Sequence, residues 1–325
     1  MAETSNQFVH LHLHSQYSLL DGACRIGDLV HRASELGQPA VAVTDHGALF
    51  GVVDFYTKAV AAGVKPIIGI EAYMAQGPRT DRTATGVKDG GYHLLLLAQN
   101  RQGYQNLLKL ASIAYLEGYY YKPRIDREVL KQYSAGLFAT SACLGGEIPS
   151  ALTASNRKKA REIAQDYLAI FGSDSFFIDL QKHVEEQDRI NPELIDLADQ
   201  VGAGIVATND VHFLNAQDHG PHDALCCIAT GKLLNESSRL KYPTELYLKS
   251  ADEMRAAWDH PRWREACANT TRIAAACELQ LKFGGSYAPV VKIERQNSGQ
   301  VAKWPSGREI LSAPSPPSGG GRGPG

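Results

Sequence analysis

The sequence has no stretch of about 18 uninterrupted apolar residues, the length a helix needs to cross a bilayer, so no membrane span is expected. Its opening residues, MAETSNQ, lack the basic and apolar regions of a secretory signal, and a cytoplasmic location is the expectation. Cysteine is sparse, with six residues at positions 24, 143, 226, 227, 267 and 277 and no C-x-x-C pair. That excludes a disulfide scaffold and points to reduced thiols. Charge of one sign is also lacking. A formal net charge of −2 argues against a basic surface that coats nucleic acid, yet it permits a local phosphate site where metal ions supply the positive charge. What remains is a globular composition, 44% hydrophobic and 21% charged over 325 residues, enough for one large domain with an appendage or for two ordinary domains.

Apolar strand-like runs alternate with helical patterns through the first two-thirds of the chain. The runs are FVHLHLH, PAVAVTDH, VKPIIGIEAYMA, YHLLLLAQ, GLFATSACL, SFFIDLQ and GIVATNDVHF. Helical periodicity falls at about residues 26–36, 50–62, 104–115, 157–171 and 189–201. Seven strands mostly separated by helices predict a parallel sheet, either wound doubly or closed into a barrel. The polar residues favour the barrel. His14, then Asp45 and His46, Glu71, Cys143, and finally Asp210 and His212 close or follow different strands. Functional groups at the ends of many strands mark a (β/α) barrel, whereas a doubly wound sheet gathers them at one crevice. His93 departs from this rule by starting its strand, which implies a strand of opposite sense. The fold class expected is α/β, an irregular (β/α)7 barrel over residues 1–235. A short helical segment over 236–283 and a Gly/Pro/Ser-rich tail over 284–325 follow, the tail too poor in apolar residues to offset its ordering entropy.

The run FVHLHLHSQYSLLDG carries the strongest chemical signal. A strand sends residues i, i+2 and i+4 to one face, so His10, His12 and His14 are expected together, with Val9, Leu11 and Leu13 opposite and Asp21 following shortly after. The full set of candidate ligands is His12, His14, Asp21, His46, Glu71, His93, Cys143, Asp210 and His212. Nine ligands exceed the four that one zinc ion commonly takes, so two to three divalent ions are implied. Anions this crowded need cations, because two unit charges about 4 Å apart interact by about 4 kcal/mol at an effective dielectric near 20. Imidazole-rich ligation with one thiolate favours Zn²⁺ or Mn²⁺, with Fe²⁺ admitted, over Mg²⁺.

Several segments together carry a family resemblance: HSQYSLLDGA, TDHGALFGVVDFYTKA, GVKPIIGIEAYMA, YHLLLLAQNRQGYQNLLKLAS, EGYYYKPRID, TSACLGGEIP and TNDVHF. In order, they resemble the N-terminal polymerase-and-histidinol-phosphatase (PHP) domain of bacterial replicative DNA polymerase III alpha subunits. The resemblance covers about residues 7–283. Phosphatases of the wider family share the metal motifs but do not look like SLLDGA, YYYKPRID or YPTELYLKS. The resemblance implies a PHP-type barrel, the same nine ligands, and a metal-dependent 3′ to 5′ exonuclease acting on DNA 3′ ends. It also implies, as partners, the remaining polymerase III alpha domains and other replisome subunits. No match to the family's paired-aspartate polymerising motif occurs before Gly325, so the chain alone is not expected to synthesise DNA and reads as a truncated product.

Other residues receive weaker assignments. His10 lies deeper along its strand and is expected to support the ligands or pack in the barrel interior. Asp45 is a candidate orienting carboxylate, although strand alternation puts it on the opposite face from His46. Lys122 and Arg124 either hold a phosphate or form a solvated loop pair. Cys226 and Cys227 read as small buried hydrophobes, and His183, His219, His222 and His260 lack ligand-like spacing. Besides the exonuclease, two rival functions stand: a phosphate monoesterase of the histidinol-phosphatase type, and a non-catalytic, metal-stabilised scaffold.

Overall fold

A computed structural model of the protein describes residues 7–83 and 90–285. Its elements in chain order are α1 (Ile26–Glu35), β1 (Ala40–Val43), α2 (Val52–Ala61), β2 (Lys65–Met74), β3 (Tyr92–Ala98), α3 (Arg101–Leu116), β4 (Tyr119–Tyr120) and β5 (Lys122–Ile125). Then come α4 (Arg127–Gln132), β6 (Leu137–Thr140), α5 (Glu147–Thr153), α6 (Arg157–Phe171), β7 (Phe176–Leu180), α7 (Glu185–Val201) and β8 (Gly204–Ala207). Three helices follow, α8 (His219–Thr230), α9 (Ala251–Ala256) and α10 (Pro261–Ala276). The tail expected from residue 284 lies, beyond Gly285, outside the described residues.

The fold is α/β. A mixed sheet curls through β1, β2, β3, β6, β7 and β8, with helices packed on its outer face. Every pairing along this path is parallel except those of β3, which runs antiparallel to both β2 and β6. The reversed sense expected from His93 is therefore observed. It brings the start of β3 to the mouth where the other strands end.

The first expected strand is not a regular one. Residues 8–15 cross the gap between β1 and Val211 on single hydrogen bonds: Ala42 N–H to the His10 carbonyl at 2.8 Å, Thr44 N–H to the Leu13 carbonyl at 2.9 Å, and His14 N–H to the Val211 carbonyl at 2.8 Å. The two steps from Ala42 to Thr44 thus face three steps from His10 to Leu13, one residue more than a regular ladder allows, which is a bulge. The Thr44 hydroxyl fills the irregularity, accepting from Leu13 N–H at 2.9 Å and donating to the Leu13 carbonyl at 3.1 Å.

The bulge reverses the side-chain alternation. Val9 and Leu11 pack inside the barrel with Ala42, Ile67, Leu97, Phe138, Phe177 and Val206, while Leu13 joins the outer layer between sheet and helices. His12 and His14 consequently face the interior. His10 does not, which corrects the expectation of three histidines on one face: its Nε2 bonds the Lys249 carbonyl at 2.8 Å and its ring abuts Phe8.

Residues beyond 235 belong to the same body. Leu248, Met254, Trp263 and Ala266 sit in the main core, and Ile273 and Ala274 of α10, with Cys277 just after it, plug the barrel end opposite the mouth. Thr270 Oγ1 accepts from Val9 N–H at 3.1 Å, and Asn269 donates to the Ile205 carbonyl at 2.7 Å. The described residues up to Leu281 form one compact unit, with no break at 235.

Replacing Thr44 by the isosteric Val leaves the buried Leu13 N–H without a partner and is expected to cost about 1–3 kcal/mol, read by urea denaturation. A loss below about 0.5 kcal/mol would mean the bulge is held by other means.

Candidate metal centre

The bulge, the reversed strand and two strained turns aim the ligands at one point. His12 and His14 come from the bulged segment, and Glu71 comes from the interior face of β2. β2 does not end at Glu71 as expected but runs on to Met74, where it pairs with β5. His93 opens β3, and Cys143 follows β6 after Ala142, whose φ is 57°. Asp210, itself at φ 46°, and His212 follow β8. Non-glycine residues in the left-handed region cost of order 1 kcal/mol or more and cluster at functional sites. Asp21 is carried by a tight loop in which a Cβ on Gly22 would stand 2.0 Å from the Ser15 carbonyl, so only glycine closes it.

All nine expected ligands lie in one continuous set. Glu71, 1% exposed, is the hub. Its Oε1 is 3.1 Å from His12 Nε2 and 2.9 Å from His93 Nδ1; its Oε2 is 2.6 Å from His46 Nδ1. Asp210 Oδ1 lies 3.2 Å from His12 Nε2 and 3.1 Å from His14 Nε2. Cys143 Sγ is 3.4 Å from His93 Nδ1, and Asp21 Oδ1 is 3.3 Å from His46 Nε2. The His14 and His212 rings lie 4.5 Å apart.

This donor set fits divalent cations. Three groups of ligand atoms each fall within 4.8 Å: His14 with His46 and His212, His12 with His14 and Glu71, and Glu71 with His93 and Cys143. His212 Nε2 is buried with no hydrogen-bond partner, and Asp21 Oδ1 and Glu71 Oε2 are likewise without one despite their proximity to His46. The tautomers agree. His212 Nδ1–H donates to the Asp210 backbone carbonyl at 2.7 Å, and His14 Nδ1–H donates to Ser18 Oγ at 3.2 Å. Each ring is left with Nε2 turned inward, the second-atom support that metal-bound imidazoles characteristically have.

Without cations, protons relieve the crowding. Burial pushes the His12 imidazole down, but Asp210 and Glu71 outweigh it and raise it to about 9. Burial, together with the charges of His46 and His212, lowers His14 to about 3. Burial, Glu71 and Asp210 push the Cys143 thiol up. Opposing burial, the neighbouring imidazoles hold Asp21, Glu71 and Asp210 well below the usual carboxylate range.

The remaining expected residues divide. Asp45 contacts no imidazole side chain directly; its carboxylate accepts from Ser15 N–H at 2.7 Å, Ser15 Oγ at 2.8 Å and Ser18 Oγ at 2.8 Å. Its link to His14 runs through the Ser18 hydroxyl. His10, lowered to about 4 by burial, is neutral and outside the cluster. Lys122 lies 5.3 Å from the Tyr73 ring centre, and that ring stacks toward His46. Arg124 corrects the expectation of a phosphate-binding or solvated pair. It is 1% exposed, and its guanidinium donates to the carbonyls of Gly118, Arg79 and Asp81 at 3.1, 3.1 and 2.6 Å.

Sequence reasoning missed Ser18, Asp179 and Tyr242. Asp179 lies below the ligands, bonded by Thr140 Oγ1 at 2.9 Å and Thr208 Oγ1 at 2.8 Å, and burial raises it to about 7. Its position in the interior alternation of β7, SFFIDLQ, was the available signal. The cluster opens into a cleft of about 840 Å³, whose far wall includes Gln181, His183, Lys241 and Tyr242.

The fold and site define an α/β barrel with a cluster of candidate metal ligands at its mouth, and the PHP domain pattern matches residues 10–183. The chain belongs to the PHP domain family. It is also similar to the DNA polymerase III subunit alpha of several bacteria. Identity is 44% with that of Borreliella burgdorferi, over 89% of this chain and 25% of the relative. With that of Treponema pallidum it is 43%, over 90% and 25%; with that of Thermus aquaticus it is 47%, over 86% and 23%. The chain spans about a quarter of the length of these curated relatives. Among the described residues, no helix is long and apolar enough to cross a membrane.

Two outcomes are expected. Arg124→Ala should destabilise the fold by about 2–3 kcal/mol through its three orphaned carbonyls in a denaturant melt, and unchanged stability would contradict the structural role. Protons on His12 and Cys143 compete with cations, so raising the pH removes the competitor. Apparent Zn²⁺ affinity, measured by chelator competition, should therefore rise about tenfold per pH unit for each proton displaced between pH 6 and 8; a flat profile would contradict the ligand assignment.

Proposed function

We propose that this chain is a portion of a bacterial DNA polymerase III alpha subunit whose PHP domain hydrolyses phosphodiesters, releasing nucleotides from DNA 3′ ends in a proofreading sense. The observation that carries the reading is the overlap of three ligand groups through the shared residues His14 and Glu71, at the mouth of an open cleft. Two to three Zn²⁺ or Mn²⁺ ions suit this mixture of imidazole, carboxylate and one thiol. When bound, such ions supply Lewis-acid activation of water and neutralise charge on the phosphate.

The chain's own residues hold and space that centre. Glu71 reaches His12, His46 and His93 at once, so it would help to hold more than one ion. Asp210 ties His12 to His14. Ser18 and Asp45 fix His14 in the tautomer that presents Nε2. Lys122, on the rim beside Tyr73, contributes at most a phosphate contact. The cleft is far larger than one phosphate group requires, which favours a nucleotide chain over a small monoester. Its DNA, the remaining polymerase domains and the other replisome subunits are the partners this reading assigns, in the cytoplasm. Template-directed synthesis is assigned to parts of the relatives this chain does not span.

The test is nucleotide release from a 3′-mismatched primer–template, beside hydrolysis of a small phosphate monoester, by metal-reconstituted protein. Release from DNA should fall at least about a hundredfold in Glu71→Gln and Asp210→Asn and far less in Lys122→Ala. Equal activity of the three variants would overturn the assignment. A full metal complement with turnover of neither substrate would favour a scaffold, and turnover of the monoester alone a phosphatase.

A further inference from the structure

We propose that Tyr242 is a positioning residue for the metal ligand Asp21, so that a segment lying outside the barrel completes the metal centre. The Tyr242 hydroxyl donates to Asp21 Oδ2 at 2.8 Å. With that oxygen engaged, Asp21 presents only Oδ1 to the cluster, where it is buried, without a hydrogen bond, and 3.3 Å from His46 Nε2. The Tyr242 ring also lies against a second ligand, 4.7 Å from the His212 ring at an interplanar angle of 34°. One side chain thus touches two candidate ligands, Asp21 and His212.

The placement of Tyr242 is itself built. Arg239 grips both oxygens of Asp223, with Nη2 to Oδ2 at 2.7 Å. His219 Nε2 bonds the Tyr242 carbonyl at 3.0 Å. From the same helix, α8, His222 Nε2 bonds the Asp21 backbone carbonyl at 2.7 Å, and its ring lies 5.2 Å from Tyr242. Asp21 is therefore held from α8 at its backbone and from Tyr242 at its carboxylate.

The chemistry follows from geometry. A carboxylate with one oxygen accepting from a phenol is held in one orientation, with its other oxygen the one turned toward a cation. Removing the hydroxyl leaves Oδ2 without a donor and frees the carboxylate to rotate or to chelate with both oxygens. Partners that orient ligands in this way typically contribute 10–100-fold to metal affinity. The matched PHP pattern ends at residue 183, well before Tyr242, so this contribution comes from the part of the chain after that pattern.

The inference rests on the reading of the cluster as a metal centre, and the experiment separates the two. Zn²⁺, and separately Mn²⁺, is titrated by chelator competition into the full chain and into Tyr242→Phe, with thermal melts of both metal-free proteins. The expected result is about a 10–100-fold loss of affinity for one ion only, with the remaining ions unaltered and the metal-free protein still folding cooperatively, its melting temperature lowered only as far as one lost hydrogen bond requires. Equal affinities for every ion in the two proteins would overturn the role of Tyr242 while leaving the metal centre intact. A uniform loss across all ions would reduce Tyr242 to a packing residue. A wild-type protein that takes up neither metal would overturn both readings together.

Discussion

A carboxylate with almost no access to water stands at the centre of this molecule, and much of the barrel mouth is arranged around it. Burying an ionised carboxylate costs several kcal/mol unless charge and hydrogen bonds compensate. Glu71 is compensated by His12, His46 and His93, drawn from three separate strands or turns. Removing any one of these elements would leave the charge less fully compensated. The same mutual dependence explains why the segment carrying His12 and His14 tolerates an irregular pairing. Its regular ladder is lost, but its imidazoles are delivered to the interior.

The barrel interior is layered in a way that matches this demand. Farthest from the mouth, Val9, Leu11, Ile67, Leu97, Phe138, Phe177 and Val206 form an apolar floor sealed by α10. Above it, the hydroxyls of Thr44, Thr140 and Thr208 satisfy the Leu13 backbone and the Asp179 carboxylate. The candidate ligands occupy the rim. Polarity therefore rises in steps toward the cleft, and among the buried polar atoms left without a hydrogen bond, His212 Nε2, Asp21 Oδ1 and Glu71 Oε2 lie at the cluster itself.

Much of this was legible in the sequence, and the reasons for the rest are physical. Interior positions along the strands alternate plainly, so Glu71, His93 and the residues closing β1 and β8 could be placed, and the reversed sense of β3 followed from His93 alone. His10 was misplaced because a one-residue bulge leaves no trace in a pattern of period two; the Thr44 hydroxyl that sustains it is 31 positions away from Leu13. The hairpin of β4 and β5 is too short to show periodicity, which is why Arg124, buried against three carbonyls, looked like a solvated cation. α7 begins at Glu185, four residues ahead of the expected Arg189, because its first turn is polar and is capped by the Gln187 side chain, which accepts from the His183 and Val184 backbone. Tyr242 was invisible because its partner Asp21 lies 221 positions away.

The account depends most on the claim that these nine side chains form one multi-ion centre. The direct measurement is the number of Zn²⁺ or Mn²⁺ ions that each chain retains after metal loading and exhaustive dialysis. Two or three ions per chain is the result predicted. A single ion or none would contradict it, and would leave the crowded carboxylates and imidazoles as a proton-stabilised polar core.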